Sequence, residues 1–486
     1  MSTLMFEMLW PEIVSSPNKA PPGLALCLSF AFMLGLTCCV EFLKSPSNGE
    51  PYEVPTPETR YVFVSDPKHI QELDDAPDAV LSLQAAARHM LQPKYTMHGF
   101  SWFDLRGAEG FGVERVIRTL LTNFLPEILP DVSRMARVRM EKLLPSHTVI
   151  GKGGAETSVF GLMKELVAHI NAYVLFGKEL CDNDTFMRAA STFMDQTLVV
   201  AEIIRLVPRW AVPFIGKWTS TKFDSDMVMY STLISIIERR LEERNSRRLG
   251  QRVPKHASLV SLLAERVAWE LMAIWFGACY SLSVTSAFTI QDLCRHSDHI
   301  PYLRAEIEGQ YHQFEATGKG LPLLDSFLKE SARQHPVESM STRRHAVKPF
   351  TFSDGTRLDV GDWACTPVHA INHNPSYYPD PMKFDGFRFA DAITVEKATI
   401  PRAAGPSQLK PSDLTEVSSK WQFWGTGRMA CPGRFYATMT LKVIISQILA
   451  NYDCTLPMPE AKSLLTWRST FFPRESFKVS FTPRNL

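Results

Sequence analysis

The residues best suited to chemistry lie in Trp424-Gly-Thr-Gly-Arg-Met-Ala-Cys-Pro-Gly433, where one cysteine hangs among glycines just ahead of a plausible helix. A thiolate that ligates haem iron needs a loop tight enough to turn backbone N–H groups toward the sulfur. Gly425, Gly427 and Gly433 permit such turns at low steric cost. Pro432 suits the first position of a helix, where a missing N–H costs nothing. The alternative for Cys431 is a buried free cysteine at a loop-to-helix junction.

This loop resembles the haem-binding loop of the cytochrome P450 family, whose usual pattern is Phe-Gly-x-Gly-x-Arg-x-Cys-x-Gly, often ending Cys-Pro-Gly-Arg-Phe in fungal members. Gly425, Gly427, Cys431, Pro432, Gly433, Arg434 and Phe435 match it. Trp424 stands where the family has Phe, which keeps an aromatic wall beside the sulfur. Met429 stands where an Arg or His usually reaches a haem propionate, so that hydrogen bond is absent or comes from another residue, with Arg428 the adjacent candidate. The resemblance implies heme b as cofactor, Cys431 as its axial iron ligand, and Trp424, Gly425, Arg428 and Gly433 around it.

Other elements must hold that loop in place. Glu330 and Arg333, at i and i+3 in the helical run Leu324–Gln334, share one helical face and can pair. Alone, such a pair reads as a surface salt bridge worth about 0–1 kcal/mol. The segment Phe384-Asp-Gly-Phe-Arg-Phe389 resembles the family's aromatic-rich stretch whose arginine joins this pair, which makes Arg388 the third member. A buried three-way cluster of this kind fixes architecture more than it adds stability. For the propionates, the resemblance offers Arg118, in the helical pattern Gly112–Phe124, and Arg343 or Arg344, of which Arg344 is preferred; a solvated surface arginine is the alternative for each. Trp102 and Arg106 have the family's Trp-x-x-x-Arg spacing, but the flanking Gly99 and Gly107 make that match a coincidence.

The long helical pattern Leu271–Leu293 corresponds to the family helix that crosses the distal haem face. There an acid and an alcohol normally pass protons to dioxygen. Setting Gly277-Ala-Cys-Tyr-Ser-Leu282 against that pattern puts Tyr280 at the acid and Ser281 at the first alcohol, the two candidate catalytic positions. A serine hydroxyl can still hold a water, whereas a tyrosine with an unperturbed pKa of about 10 is a poor proton source near neutrality. Plain packing in a buried helix is the alternative for Ser281.

Composition sets the outer limits. A chain of 486 residues, 45% hydrophobic and 21% charged, is ordinary for a globular protein, and a net charge of +1 gives no reason to expect nucleic acid. Nine cysteines without paired spacing argue for a reducing compartment. Ala20–Val40 holds no charged residue over 21 positions and reads as one membrane span, too long and too late for a signal peptide. Prolines at 46, 51, 55 and 57 predict a stiff linker. The expected organisation is an anchor at 1–44, a linker at 45–59 and a catalytic domain at 60–486.

Helical patterns dominate: Pro67–Asp74, Val159–Phe176, Thr185–Leu206, Ser225–Leu249, Leu259–Leu293 and Pro322–Gln334. Strand signals fall at Arg60–Val64 and after Val347, with Phe350–Gly355 read as a strand into an Asp-Gly turn and Asp359–Thr366 as its partner. The predicted fold class is mainly α with small β-sheets, the cytochrome P450 arrangement, with one N-terminal transmembrane helix. Segments such as Met90-Leu-Gln-Pro-Lys-Tyr-Thr-Met97 look like the fungal secondary-metabolism branch. That branch implies a small apolar substrate of alkaloid, diketopiperazine or terpenoid type, dioxygen, an NADPH-cytochrome P450 reductase and an endoplasmic reticulum membrane with the catalytic domain in the cytosol. Two rivals stay open: a coupling or rearranging enzyme on the same fold, suggested by Tyr280, and a non-catalytic haem-binding membrane protein.

Overall fold

The computed structural model describes residues 49–56, 59–100, 112–144, 149–150, 154–249, 257–400 and 409–484. The anchor segment Ala20–Val40 and the Trp102/Arg106 pair lie outside them. Eight of the helices among the described residues bear on the site. Helix α1 is Pro67–Asp75, started by Asp66, whose side chain accepts from the Lys68 N–H. Helix α2 is Thr122–Leu143, preceded by the turn Gly112–Arg115 and the π-helical Val116–Leu121. The expected helix ending at Phe124 thus runs on to Leu143, through Pro126 and Pro130. Helix α3 is Val159–Phe176, capped by Ser158, and α4 is Asp184–Leu206, capped by Asn183. Helix α5 is Ser225–Leu249 and α6 is Ala257–Arg295. At 1.5 Å per residue, α6 is about 58 Å long, enough to cross the whole domain.

Helix α7 is Pro322–Gln334, with Pro322 in its first turn and a carboxylate from outside as its cap: Glu306 accepts the N–H groups of Leu323 and Leu324. Helix α8, Arg434–Asn451, begins two residues beyond Pro432, so that proline precedes the helix and does not occupy its first position. Both α3 and α6 are apolar enough to cross a bilayer by length and composition, yet more than half of each is buried inside the protein, which makes them core helices. Alongside them Val443, Ile444, Ile445 and Ile448 of α8 have no exposure at all, the pattern of a helix packed on every side.

The main sheet has five strands, β1 Tyr52–Pro55, β2 Arg60–Phe63, β3 Leu81–Ser82, β4 Ser341–Ala346 and β5 Trp363–Thr366, in the order β1-β2-β5-β4-β3. Two expectations change here. Part of the proline-rich linker is the edge strand β1, a position that tolerates Pro55. The partner of Phe350–Thr351 is Arg357–Leu358, not the later segment, because the Asp354-Gly355 turn closes so tightly that Phe352 and Thr356 already bond across it. Trp363-Ala-Cys-Thr366 is instead buried at all four positions and fills the gap between β2 and β4. A strand buried on both faces needs a partner on each edge. A separate hairpin, β6 Leu464–Trp467 and β7 Thr470–Pro473, lies near the chain's end.

Candidate functional site

Cys431 sits in a loop closed by its own N–H, which donates to the Trp424 carbonyl at 2.7 Å. Trp424 is held in turn by its indole N–H, 2.6 Å from the Leu414 carbonyl. Gly425 and Gly427 have φ of +78° and +54°, the left-handed region where a side chain is strained. Gly427 is required a second time, because a Cβ there would come within 2.5 Å of Asp74 Cγ. Gly433 has ordinary φ; its place lies under the sulfur, with an added Cβ 3.9 Å from Cys431 Sγ. Burial pushes the Cys431 thiol up, while the N–H groups of Gly433 and Arg434 and the charges of Arg434 and Arg118 pull the other way. Those are the donors and cations that a thiolate requires.

Asp74, at the end of α1, links the loop to the sheet. It accepts from the Thr426 hydroxyl at 2.8 Å and from Arg344 of β4 at 3.4 Å, and Thr342 meets Thr426 at 3.0 Å. Burial raises the Asp74 pKa, with Thr426 and Arg344 opposing the rise. Arg344 is therefore buried behind the loop, whereas Arg343 turns to the other side and bonds Glu338 and Ser469. Arg428, adjacent to Met429, reaches the Ala76 carbonyl at 2.5 Å and Asp78 at 3.3 Å. Its guanidinium thus ties the loop to the end of α1. Arg118 comes from the opposite direction: one nitrogen donates to the carbonyls of Arg428 and Ala430 at 2.7 and 3.1 Å and pairs with Glu114 at 2.7 Å.

The haem implied by the resemblance can be tested against these residues. Arg118 Nε and Arg434 Nε are both buried without a hydrogen-bond partner among the described residues. Two cationic donors left orphaned around a cradled thiol are what a bound dianionic tetrapyrrole would satisfy. The residues fit the group.

Glu330, Arg333 and Arg388 meet in a separate buried cluster. Arg333 grips Glu330 bidentately, both distances 2.8 Å, and Arg388 Nε approaches the same carboxylate at 3.1 Å. Glu330 and Arg333 have no side-chain exposure. The Asp385 N–H also donates to Glu330, and the Asn372 carbonyl accepts from Arg333, so the cluster is hydrogen-bonded on both sides. Beside it lies Lys329, which no sequence pattern signalled: fully buried, it bonds Ser412, the Asp413 carbonyl and Glu416 at 2.6–3.0 Å and faces the rings of Phe389 and Trp421.

Between Ala264 and Leu293 of α6, only Gly277 and Ser281 are exposed. They stand one turn apart on one face, and an added Cβ at Gly277 would meet nothing within 4 Å. Mid-helix exposure in an otherwise buried core helix marks an open face. The Ser281 carbonyl already accepts from Thr285 at 2.9 Å. Tyr280 is placed differently. Its ring packs against Phe276 and edge-on to Phe472 of β7, and its hydroxyl is buried with no partner among the described residues. Burial, aided by Glu338 and Asp195, drives its pKa well above 10. That shift runs away from proton donation near neutrality, so the tyrosine departs further from the acid it replaces. Tyr280→Phe is expected to raise stability slightly, by up to about 1 kcal/mol, because it removes an unsatisfied buried hydroxyl. Urea unfolding measures it, and a clear loss of stability would show that the hydroxyl has a partner.

A sequence model of the family described as Cytochrome P450 matches residues 49–481. The chain is 26% identical over 442 residues to Cytochrome P450 monooxygenase 151 of Postia placenta, an alignment covering 87% of this chain and 84% of that protein. With Cytochrome P450 monooxygenase ltmQ of Epichloe festucae var. lolii it shares 26% identity over 436 residues, 83% of this chain and 78% of the relative. Retinoic acid bound cyanobacterial CYP120A1 has the same fold, with a TM-score of 0.62 at 17% identity over 89% of this chain and 92% of that one. A match running from residue 49 to 481 takes in the cysteine loop, the buried ion-pair cluster and the long helix together, and by it the chain belongs to the cytochrome P450 family, as a monooxygenase that binds haem through a cysteine thiolate.

Proposed function

We propose that this monooxygenase oxidises a small apolar intermediate of fungal secondary metabolism, of alkaloid, diketopiperazine or terpenoid type, with electrons from an NADPH-cytochrome P450 reductase. In this reading residues 1–44 anchor the chain through Ala20–Val40, and residues 60–486 form the catalytic domain on the cytosolic side of the endoplasmic reticulum. The fungal relatives support the setting. The observation that carries the chemistry is the open face of α6, where Ser281 presents the hydroxyl and Gly277 leaves room beside it.

Bound haem supplies the redox chemistry that activates dioxygen. The chain supplies the rest. Cys431 offers its sulfur from a loop stiffened by Trp424 and Asp74, with Arg118 and Arg434 as candidate propionate partners. Ser281 can donate and accept at Oγ, and with its carbonyl taken by Thr285 that hydroxyl is the polar group left to hold a water on the open face. Phe276, Tyr280 and Phe472 form an apolar wall suited to a substrate without charge.

Ser281→Ala is expected to lower product formed per dioxygen consumed by about tenfold or more, less than the roughly 10²–10⁴-fold that a positioned proton-transfer group contributes to a rate. Normal coupling would remove Ser281 from proton delivery. Deleting the gene in its producer and identifying the compound that accumulates tests the substrate class; a charged, hydrophilic compound would overturn it. A second reading, a coupling or rearranging enzyme, draws on the replacement of the usual acid by a tyrosine whose hydroxyl is sealed off. Dioxygen and NADPH consumed in proportion to a product that gains one oxygen would dispose of it.

A further inference from the structure

The face of α6 opposite Ser281 carries an unusual set of polar contacts. Trp275, Cys279 and Ser283 recur every fourth residue, all with no exposure, and each meets another helix. Trp275 Nε1 donates to the Ala190 carbonyl of α4 at 2.9 Å. Ser283 Oγ lies 3.5 Å from the Met163 carbonyl of α3, and donates to the Cys279 carbonyl at 2.7 Å. Between them Cys279 Sγ accepts from Asn171 Nδ2 of α3 at 3.2 Å, and the Asn171 Oδ1 accepts from the Tyr436 hydroxyl of α8 at 2.6 Å.

Asn171 therefore links the helix that carries the Gly277/Ser281 face to the helix that follows the cysteine loop. Tyr436 lies five residues after Cys431, in the first turn of the helix that the cysteine loop feeds. Cys279 lies between Gly277 and Ser281, on the reverse face. Asn171 itself is fully buried, as are Val167, Ile170 and Ala172 beside it along α3. A side chain held at both ends by hydrogen bonds inside an apolar core is costly to leave half-paired, because neither end can turn to water. Apolar packing alone tolerates a helix sliding by a fraction of a turn. A hydrogen bond with a narrow range of length and angle does not.

We propose that Tyr436, Asn171 and Cys279 are positioning residues that set the height of α6 relative to α8, and so the distance between the Gly277/Ser281 face and the sulfur of Cys431. None of the three belongs to the cysteine loop or to the Gly277/Ser281 face; they act through the helices that carry those two. A neutral thiol serves here because burial holds Cys279 protonated.

The test uses the full-length holoenzyme, reduced and treated with carbon monoxide, and reads the C–O stretching band, which reports the distal surroundings independently of turnover. Asn171→Leu and Cys279→Val are expected to shift or split that band while the Soret band still shows thiolate ligation. Cys279→Ser keeps an acceptor at the same place and is expected to give the wild-type band. Should Asn171→Leu fail to fold, Tyr436→Phe removes a single hydroxyl and is expected to broaden the band in the same sense. Bands identical to wild type in Tyr436→Phe and Cys279→Val, even with a lowered melting temperature, would show that the three residues only pack the core and would overturn the proposal. A displaced band in Cys279→Ser equal to that of Cys279→Val would overturn it as well.

Discussion

Cys431→Ala is expected to abolish the Soret band that thiolate-ligated haem shows when reduced and treated with carbon monoxide, and to reduce monooxygenase turnover to background. The loop around the sulfur is built for one atom. The N–H groups of Gly433 and Arg434 aim at it, and Arg118 and Arg434 add positive charge nearby. Removing the sulfur leaves those donors facing a methyl group and takes from the iron its axial ligand. Among the described cysteines, Cys181, Cys279 and Cys365 are buried elsewhere in the core and cannot take its place. An unchanged spectrum in the alanine variant would sink the assignment of Cys431 as ligand.

The largest expected effect on stability comes from Glu330→Ala. That carboxylate is the common partner of Arg333 and Arg388, and its removal leaves two guanidinium groups without their counter-charge in a region closed to water. Breaking a buried ion pair from one side costs about 3–5 kcal/mol. Against a total stability of roughly 5–15 kcal/mol for a typical domain, that is about a fifth or more. Urea unfolding and haem content of the purified protein measure it. The fraction that remains folded should still show the thiolate Soret band, since Glu330 does not touch the cysteine loop. A loss below about 1 kcal/mol would mean that the cluster behaves as an exposed pair does.

Local chemistry was legible along the chain. Val159–Phe176, Ser225–Leu249 and Pro322–Gln334 run between the same residues in the pattern and in the structure, because their apolar periodicity and the residues at their starts agree. Turns with a single backbone requirement, such as Gly425, were equally readable. Strand pairing was not. Trp363–Thr366 and Arg357–Leu358 both follow the Asp354-Gly355 turn, and nothing in either segment says which one the preceding strand takes. That choice depends on which strand must be covered on both edges.

The sequence by itself determined that one cysteine would be presented on a glycine-rich loop ahead of a helix, that Glu330 and Arg333 would share a face, and that a long apolar helix would carry Ser281. Each of these follows from spacing within one element, where backbone geometry alone sets which side chains are neighbours. Only the tertiary structure decided that Asp74 would hold Thr426, that Lys329 would pair with Glu416, that Tyr280 would be sealed against Phe472, and that Asn171 would join Cys279 to Tyr436. These partners come from separate elements, and a buried polar group finds its mate only when packing has already fixed where the elements lie.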